Sequence, residues 1–175
     1  MYLTIYSGPM FSGKTTSLVT YLNDNVKDKS CVYVNHRIDT RSDDAFSSHN
    51  KNLSLSKDIK ILKVSSLYGM KEYLEKFDII GIDECQFFDD LFEFVSYCKN
   101  KKVKIILSGL CADSNMKEFG KILRCFPLAD EINMLYSPCS VCGINTLHTR
   151  KRVETDKQIE VGGENLYYPC CKQCF

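Results

Sequence analysis

The segment GPMFSGKT, from Gly8 to Thr15, constrains the fold of this chain more than any other feature. It fits the pattern G-x-x-x-x-G-K-[ST], with a β-prone run (YLTIYS) before it and apolar residues at helical spacing after it. In that context backbone N–H groups surround phosphate oxygens, Lys14 contacts the β- and γ-phosphates, and the Thr15 hydroxyl is placed to bind Mg²⁺. A chance Gly-Lys turn would not bring strand, loop and helix together in this order, so we predict a nucleotide-binding P-loop.

Strands and helices alternate along most of the chain. Further strands are predicted at SCVYVN, IKILKV, DIIGIDE, KVKIILSGL and EINMLY, and helices at SSLYGMKEYLEKF, FFDDLFEFVSYCKN and NMKEFGKILRCF. This order indicates βαβ units, and hence an α/β fold of the P-loop NTPase type with a mostly parallel sheet flanked by helices. The polar stretch 36–58 is predicted to be a long mobile loop. After Pro138 cysteines, glycines and short extended runs dominate, so we expect an α/β domain over 1–137 and a small C-terminal lobe over 138–175.

The segment IIGIDE is typical of a Walker B element, in which an apolar strand ends in a carboxylate that holds Mg²⁺ directly or through water. Asp83 is that carboxylate. Glu84 follows it and, with an ordinary pKa of about 4.3, is ionised at neutral pH and able to accept a proton from an attacking oxygen. That oxygen could belong to water, in an ATPase, or to a substrate hydroxyl, in a kinase. Glu84 could also be an acidic helix cap without a chemical role.

Ten cysteines are many for a chain of this size. Five are scattered through apolar stretches and are typical of buried, reduced thiols: Cys31, Cys85, Cys98, Cys111 and Cys125. The others cluster near the C-terminus, where Cys139/Cys142 and Cys171/Cys174 form two C-x₂-C pairs. Two such pairs predict a structural Zn²⁺ bound by four cysteines, which would stabilise a lobe too small to hold its own core. Two disulfides or surface thiols are the alternatives, and Cys170 is expected to be a neighbour of the site rather than a ligand.

Composition and charge disfavour several classes of function. No window contains the roughly 18 consecutive apolar residues of a membrane-spanning helix, and no basic stretch precedes the apolar run at the N-terminus, so we expect a cytoplasmic protein without a membrane partner. The net charge is +1, and basic and acidic residues nearly balance in the C-terminal lobe, which argues against a nucleic-acid partner. A nucleic-acid-coupled ATPase and an inactive nucleotide-binding module therefore remain only as alternatives to an enzyme acting on a small molecule.

The chain resembles the type II (cellular and poxvirus-like) thymidine kinase family along nearly its whole length. The segments that carry the resemblance are GPMFSGKTT, IDTR, IGIDECQFF, SGL, FGKILRCFPLADEI, PCSVCG, KR and VGGENLYYPCCKQC. The resemblance implies ATP-dependent phosphorylation of the 5′-hydroxyl of thymidine, giving dTMP and ADP for nucleotide salvage and DNA synthesis. It also implies a structural zinc, Mg²⁺ and a homo-oligomer, commonly a tetramer.

The resemblance further implies roles for individual residues. Glu84 would be the general base on the 5′-hydroxyl. The residues that would bind ATP and Mg²⁺ are Gly8, Pro9, Met10, Phe11, Ser12, Gly13, Lys14, Thr15, Asp39, Thr40, Arg41, Asp83 and Gln86. Those that would bind the nucleoside are Met10, Phe87, Leu110, Ser114 and Tyr167, together with Gln158, Ile159, Glu160, Val161 and Gly162 of a lasso loop held by the zinc lobe. The backbone of that loop would hydrogen-bond the thymine edge.

Four positions depart from the family pattern. Cys85 follows the catalytic glutamate, where glycine or alanine is usual, and Cys111 replaces an acidic residue. Asn50 stands where the family's flexible loop has aspartate, and Ser114 stands where an aromatic residue is usual. We therefore expect the reaction type to be kept and the base pocket to be wider and less apolar.

Overall fold

The computed structural model describes residues 1–40, 52–153, 155 and 157–175. Its centre is one sheet whose six strands are β1 (Tyr2–Ser7), β2 (Cys31–His36), β3 (Lys60–Val64), β4 (Ile79–Ile82), β5 (Lys104–Gly109) and β6 (Glu131–Met134). The strands run parallel in the order β3-β2-β4-β5-β1-β6. The predicted α/β fold with a parallel sheet is therefore confirmed. Residues 41–51 of the predicted 36–58 loop, including Arg41, lie outside the described residues.

Helices cover both faces of the sheet, because the strands are apolar on both sides. On one face, α1 (Lys14–Asn25) buries Leu18 and Leu22 against strand residues such as Ile106. On the other face, α2 (Leu91–Cys98) and α3 (Ile122–Cys125) pack in the larger core cluster with residues such as Leu107. In the part of the chain that the structure describes, no helix is both long and apolar enough to cross a membrane.

All three helices predicted after α1 are shorter than expected, and α2 covers only Leu91–Cys98 of the segment FFDDLFEFVSYCKN. The segment from Ser65 to Phe77 holds a 3₁₀ helix, Tyr68–Tyr73, instead of an α-helix. Gly69 lowers the helix propensity of this segment. The Ser66 hydroxyl accepts a hydrogen bond from the Tyr68 amide at 3.1 Å, at the start of this 3₁₀ helix.

The helix predicted at NMKEFGKILRCF begins only at Ile122. Ahead of it, Ala112 and Glu118 form an antiparallel bridge that closes a turn, in which Met116 has a left-handed φ of 59°, so the first half of the segment is not helical. Gly120 then adopts a left-handed conformation with a φ of +62°, which a continuous helix does not contain. A second 3₁₀ turn, Cys85–Phe87, follows β4, and a third, Phe126–Leu128, follows α3.

The topology places the chemistry at one edge of the sheet. The phosphate loop follows β1, Asp83 follows β4 and Leu110 follows β5. These strands are parallel neighbours, so their carboxyl ends lie together. In open α/β sheets that edge is where ligands bind.

The C-terminal lobe consists of two antiparallel strand pairs. The first joins β7 (Ser137–Pro138) to β8 (Asn145–Thr146), and the second joins β9 (Thr149–Lys151) to β10 (Tyr167–Pro169). CSVC follows β7 and CCKQC follows β10, so the two pairings bring the cysteine pairs together. We call residues 152–166, between β9 and β10, the lasso segment. The boundary near residue 137 remains a prediction.

Gly120 provides a test of this packing. A Cβ atom at this position would lie 2.2 Å from the carbonyl oxygen of Gln86, in a left-handed backbone. We expect Gly120→Ala to cost about 2–4 kcal/mol of stability, from backbone strain and overpacking together. The melting temperature should fall by about 5–15 °C. Gly69→Ala is the control, because a Cβ atom there would have no neighbour within 4 Å. Equal melting temperatures for the two variants would contradict the close packing of Gly120 against the Gln86 carbonyl.

Candidate active site

The phosphate loop closes on the carbonyl oxygen of Pro9. The Ser12 hydroxyl donates to this oxygen at 2.9 Å, and the Lys14 ammonium donates to it at 2.6 Å. Gly13, at the start of α1, has a φ of +85°, and Phe11 has a φ of +65°. These left-handed residues turn the backbone tightly around the position where a P-loop binds phosphate.

Asp83 joins the phosphate loop to the strands beside it. The residue is 2% exposed, and its carboxylate accepts hydrogen bonds from the hydroxyls of Thr15 at 2.9 Å, Tyr33 at 2.8 Å and Ser108. Burial raises the pKa of the Asp83 carboxyl above its ordinary value of 3.8, and the charge of Glu84 adds to that rise, while the hydroxyl donors lower it. A carboxylate and a hydroxyl side by side are oxygen ligands of the kind that Mg²⁺ takes in nucleotide-binding sites, so this pair fits the ion.

Glu84 is held at the cavity wall by an unusual backbone and a specific partner. Its φ of 48° and ψ of 41° are left-handed, a conformation that costs a non-glycine residue about 1–2 kcal/mol. Its carboxylate accepts a hydrogen bond from the Gln86 amide at 2.6 Å, and the Gln86 amide oxygen accepts the N–H of Leu110 at 3.0 Å. Glu84 occupies the N-cap position of Cys85–Phe87, but its side chain makes no capping hydrogen bond. This observation disfavours the interpretation of Glu84 as a helix cap.

A cavity of about 360 Å³ lies among the phosphate loop, the 3₁₀ turn after β4, the end of β5 and the lasso segment. The predicted site residues that line it are Met10, Phe11, Gly13, Lys14, Thr15, Glu84, Gln86, Phe87, Leu110, Ser114, Gln158, Glu160, Val161, Gly162 and Tyr167. Phosphate-loop, catalytic and lasso residues, which are far apart in the sequence, therefore surround one space.

Seven of the predicted site residues lie away from the cavity lining, namely Gly8, Pro9, Ser12, Asp39, Thr40, Asp83 and Ile159. Gly8, Pro9 and Ser12 form the underside of the phosphate loop, and Asp83 lies behind it against the strands. Asp39 is buried, and its carboxylate accepts a hydrogen bond from the Asn35 amide at 3.1 Å. Arg41 lies outside the described residues, so its predicted role stays a prediction.

Six residues of the lining were not predicted: Thr16, Ala112, Asp113, Phe119, Thr149 and Glu164. Thr16 could have been inferred, since it directly follows the phosphate loop. Phe119 lies edge-on to Phe87, with ring centroids 5.7 Å apart, and supplies an aromatic wall that local sequence patterns do not indicate. Thr149 comes from the other lobe, and its hydroxyl accepts the N–H of Met10 at 2.9 Å.

Lys151 gives the lasso segment its shape from within the C-terminal lobe. The Lys151 side chain is largely buried, and its ammonium donates to the Thr155 hydroxyl at 2.7 Å and to the Lys157 carbonyl at 2.6 Å. It also pairs with the Glu160 carboxylate at 3.2 Å, a contact that lowers the pKa of that carboxyl. The Tyr167 hydroxyl donates to the Glu160 carbonyl at 2.7 Å.

The four predicted zinc ligands converge at the base of the lobe. The sulfur atoms of Cys139, Cys142, Cys171 and Cys174 all lie within 4.8 Å of one another, and those of Cys142 and Cys171 are 3.6 Å apart. A tetrahedron with Zn–S bonds of about 2.3 Å has edges of about 3.8 Å, so the cluster fits the ion.

The electrostatics of the cluster also suit a cation. The amide of Cys171 donates to the Cys139 sulfur, a contact that lowers the pKa of that thiol from 9.0 to about 6. Hydrogen bonding with Cys142 raises the pKa of Cys174 to about 12, so a bound cation must displace protons from the cluster. Cys170 donates to the Cys171 carbonyl at 3.7 Å, outside this group of four.

Comparison with known proteins gives a consistent result. The thymidine kinase family matches residues 1–175. The thymidine kinase of Choristoneura fumiferana entomopoxvirus is 37% identical over 179 residues, which cover 100% of this chain and 96% of that protein. The thymidine kinase of sheeppox virus is 31% identical over 99% of this chain and 96% of its own length. The cytosolic thymidine kinase of Homo sapiens is 31% identical over 99% of this chain and 72% of its own length.

The assignment of the metal ligands can be tested with two cysteine variants. We expect Cys142→Ser to lose bound zinc and to loosen the C-terminal lobe, because three thiolates hold the ion less tightly than four. Cys170→Ser should keep its zinc, since Cys170 lies outside the cluster. Metal content by atomic spectroscopy and limited proteolysis of the lobe measure both effects. Loss of zinc from Cys170→Ser alone would show that the second pair is Cys170/Cys174 instead.

Proposed function

The chain belongs to the thymidine kinase family, whose reaction is the phosphorylation of thymidine, and we propose that it transfers the γ-phosphoryl group of ATP to the 5′-hydroxyl with Glu84 as the general base. The main support is the cavity, whose walls include the phosphate loop, Glu84 and the lasso segment. A phosphate donor and a nucleoside hydroxyl can therefore meet beside one carboxylate. Transfer gives dTMP and ADP, which are products of nucleotide salvage.

The phosphate loop supplies the donor side of the reaction. Lys14 lines the cavity, and its ammonium, which donates to the Pro9 carbonyl in this structure, would contact the β- and γ-phosphates of ATP. Thr15 and Asp83, whose oxygens are 2.9 Å apart, would hold Mg²⁺. When bound, this ion neutralises charge on the phosphates as the γ-phosphoryl group leaves. Asp39, Thr40 and Arg41 belong to the predicted donor side as well.

Glu84 acts on the acceptor. The Gln86 amide fixes the orientation of its carboxylate at the cavity wall. From there Glu84 accepts the proton of the 5′-hydroxyl as the oxygen attacks phosphorus. The Gln86 contact with Leu110 ties this carboxylate to the end of β5, so its position does not depend on the ligand.

The lasso segment selects the base. Of the predicted loop residues, Gln158, Glu160, Val161 and Gly162 line the cavity opposite apolar residues such as Leu110, Phe119 and Tyr167, and their backbone groups would hydrogen-bond the base. Thymine N3 carries a hydrogen and needs an acceptor, whereas cytosine N3 is itself an acceptor. A backbone carbonyl facing N3 therefore rejects cytidine, because two acceptors would be left facing each other without a hydrogen.

Assembly and location follow from the family. The bovine and human relatives are named cytosolic thymidine kinases, and this supports a cytoplasmic location for the present protein. A homo-oligomer, commonly a tetramer in this family, and the lack of a nucleic-acid or membrane partner complete the proposal. Size-exclusion chromatography with light scattering measures the assembly directly.

The proposed reaction is tested by ADP release in the presence of thymidine, of DNA and of neither. We expect release to depend on thymidine, and we expect Glu84→Gln to lower kcat by about 10²–10⁴-fold, the usual contribution of a general base. ATP binding should persist, because a glutamine oxygen can still accept the Gln86 hydrogen bond.

Glu118→Gln is the control for loss of one carboxylate near the site. DNA-stimulated release would favour a nucleic-acid-coupled ATPase, and a Glu84→Gln variant with more than a third of wild-type turnover would exclude Glu84 as the base.

Ser114 tests the width of the base pocket. It lines the cavity with Phe119, in a place where the family usually has an aromatic residue. Burying an added aromatic side chain contributes roughly 1.5–3 kcal/mol, so Ser114→Phe should lower the thymidine KM several-fold. A bulky 5-substituted deoxyuridine should become a poorer substrate, and deoxycytidine should stay poor. Ser114→Ala controls for loss of the hydroxyl; an unchanged or higher thymidine KM in a folded Ser114→Phe variant would show that Phe119 already fills the space.

A further inference from the structure

We propose that Asp113 and Gln158 form a latch that positions the lasso segment across the nucleoside end of the cavity. This inference rests on the proposed function, since the latch matters for the nucleoside that the segment covers. Both residues line the cavity, Asp113 from the turn after β5 and Gln158 from the lasso segment. The latch therefore joins the α/β body to the C-terminal lobe at the ligand itself.

Asp113 is fixed by its own turn. The residue is 7% exposed, and its Oδ1 accepts the backbone N–H groups of Asn115 at 2.8 Å and Lys117 at 2.9 Å. The bridge between Ala112 and Glu118 closes the same turn. Because Oδ1 is used within the turn, Oδ2 is the oxygen available to a partner from another part of the chain.

Gln158 is that partner. Its amide nitrogen donates to Asp113 Oδ2 at 2.9 Å and to the carbonyl oxygen of Glu118 at 3.1 Å. Both acceptors belong to the turn that the bridge between Ala112 and Glu118 closes. Each of them needs a hydrogen-bond donor, and the Gln158 side-chain NH₂ group supplies both hydrogens. A hydrogen bond to an ionised carboxylate is stronger than one between neutral groups.

The position of the latch allows it to open. Gln158 as a whole is exposed, whereas Asp113 is buried. When the segment lifts, the Gln158 amide can therefore hydrogen-bond to water in place of its partners in the turn, and it is not left unsatisfied. The contacts of Lys151 and Tyr167 described above fix the segment to its own lobe. The Gln158 contacts add the link to the body, which determines how closely the backbone of residues 159–162 approaches the base.

This arrangement makes Asp113 and Gln158 positioning residues rather than catalytic ones. Loss of the latch should weaken the hold on thymidine, since the lasso backbone would spend less time against the base. It should affect ATP much less, because the phosphate loop is built on β1 and α1. The expected signature is a rise in the KM for thymidine that is much larger than any change in kcat or in the KM for ATP.

A reciprocal exchange of amide and carboxylate tests the pairing. Gln158→Glu is isosteric but places a carboxylate against Asp113, and we expect the thymidine KM to rise about tenfold, equivalent to about 1.4 kcal/mol. Asp113→Asn keeps the oxygen that accepts the two backbone N–H groups, and on its own should raise the KM less. In the double variant the amide introduced at position 113 can donate to the carboxylate introduced at position 158, so the KM should move back toward the wild-type value. Recovery should be partial, because the Glu118 carbonyl still faces a carboxylate.

Asn115→Asp is the control for an added negative charge in the turn that holds Asp113, and it should not reproduce the tenfold rise in the thymidine KM.

Hydrogen–deuterium exchange of residues 157–163 provides a readout that does not require activity. Exchange should be faster in Gln158→Glu and slower again in the double variant, at equal zinc content and melting temperature. Effects of the two substitutions that simply add, or equal increases in the KM values for thymidine and ATP, would overturn the latch. The wild-type enzyme separates the two proposals: without thymidine-dependent ADP release the proposed function fails, while exchange still decides whether Asp113 and Gln158 are paired.

Discussion

The buried carboxylate of Asp83 is the interaction on which the rest of the site depends. Three hydroxyls from α1, β2 and β5 converge on it, so one side chain fixes the relative positions of the phosphate loop and two strands. An ionised carboxylate at this depth is unfavourable unless donors or a cation compensate for it. The energetic cost of burying this carboxylate is tied to the proposed function, since the oxygens that need compensation are those that would bind the magnesium–nucleotide complex. Glu84 gains its place at the cavity wall as the next residue in the chain.

The second constraint is that the α/β body does not enclose the cavity by itself. The lasso segment and Thr149 of the C-terminal lobe supply part of the cavity lining. A lobe with two short strand pairs has little apolar core, and the buried residues of its cluster are cysteines. The convergence of four sulfur atoms explains how so small a unit can hold a segment in place: the coordination bonds of a metal would replace the missing core. The α/β body is thus stabilised by its apolar core, whereas the C-terminal lobe would be stabilised by metal coordination.

Much of this could be predicted from the sequence, where the signal is local. The phosphate loop, Asp83 and the cysteine pairs are each defined by neighbours within a few residues, and β-prone runs between helical segments give the parallel sheet. The signal is weaker where tertiary contacts decide the structure. Gly120, which lies against the Gln86 carbonyl in a left-handed conformation, interrupts a pattern that otherwise indicates a helix. Asp113 and Thr149 enter the site from turns and strands whose position depends on the folded lobe, and no spacing in the sequence links Asp113 to Gln158.

The two ends of the lasso segment have a consequence for how its length can vary. β9 and β10 are in register, with Lys151 opposite Tyr167, so the segment starts and finishes at fixed points. The number of residues between Lys151 and Gln158 must then match the distance from the lobe to the turn at Asp113. An inserted or deleted residue within it would move Gln158 out of reach, whereas loop closure itself tolerates extra residues at small entropic cost. Length changes should therefore be accommodated on the far side of Gly162, where the chain returns to β10, and related proteins that differ in lasso length should differ there first.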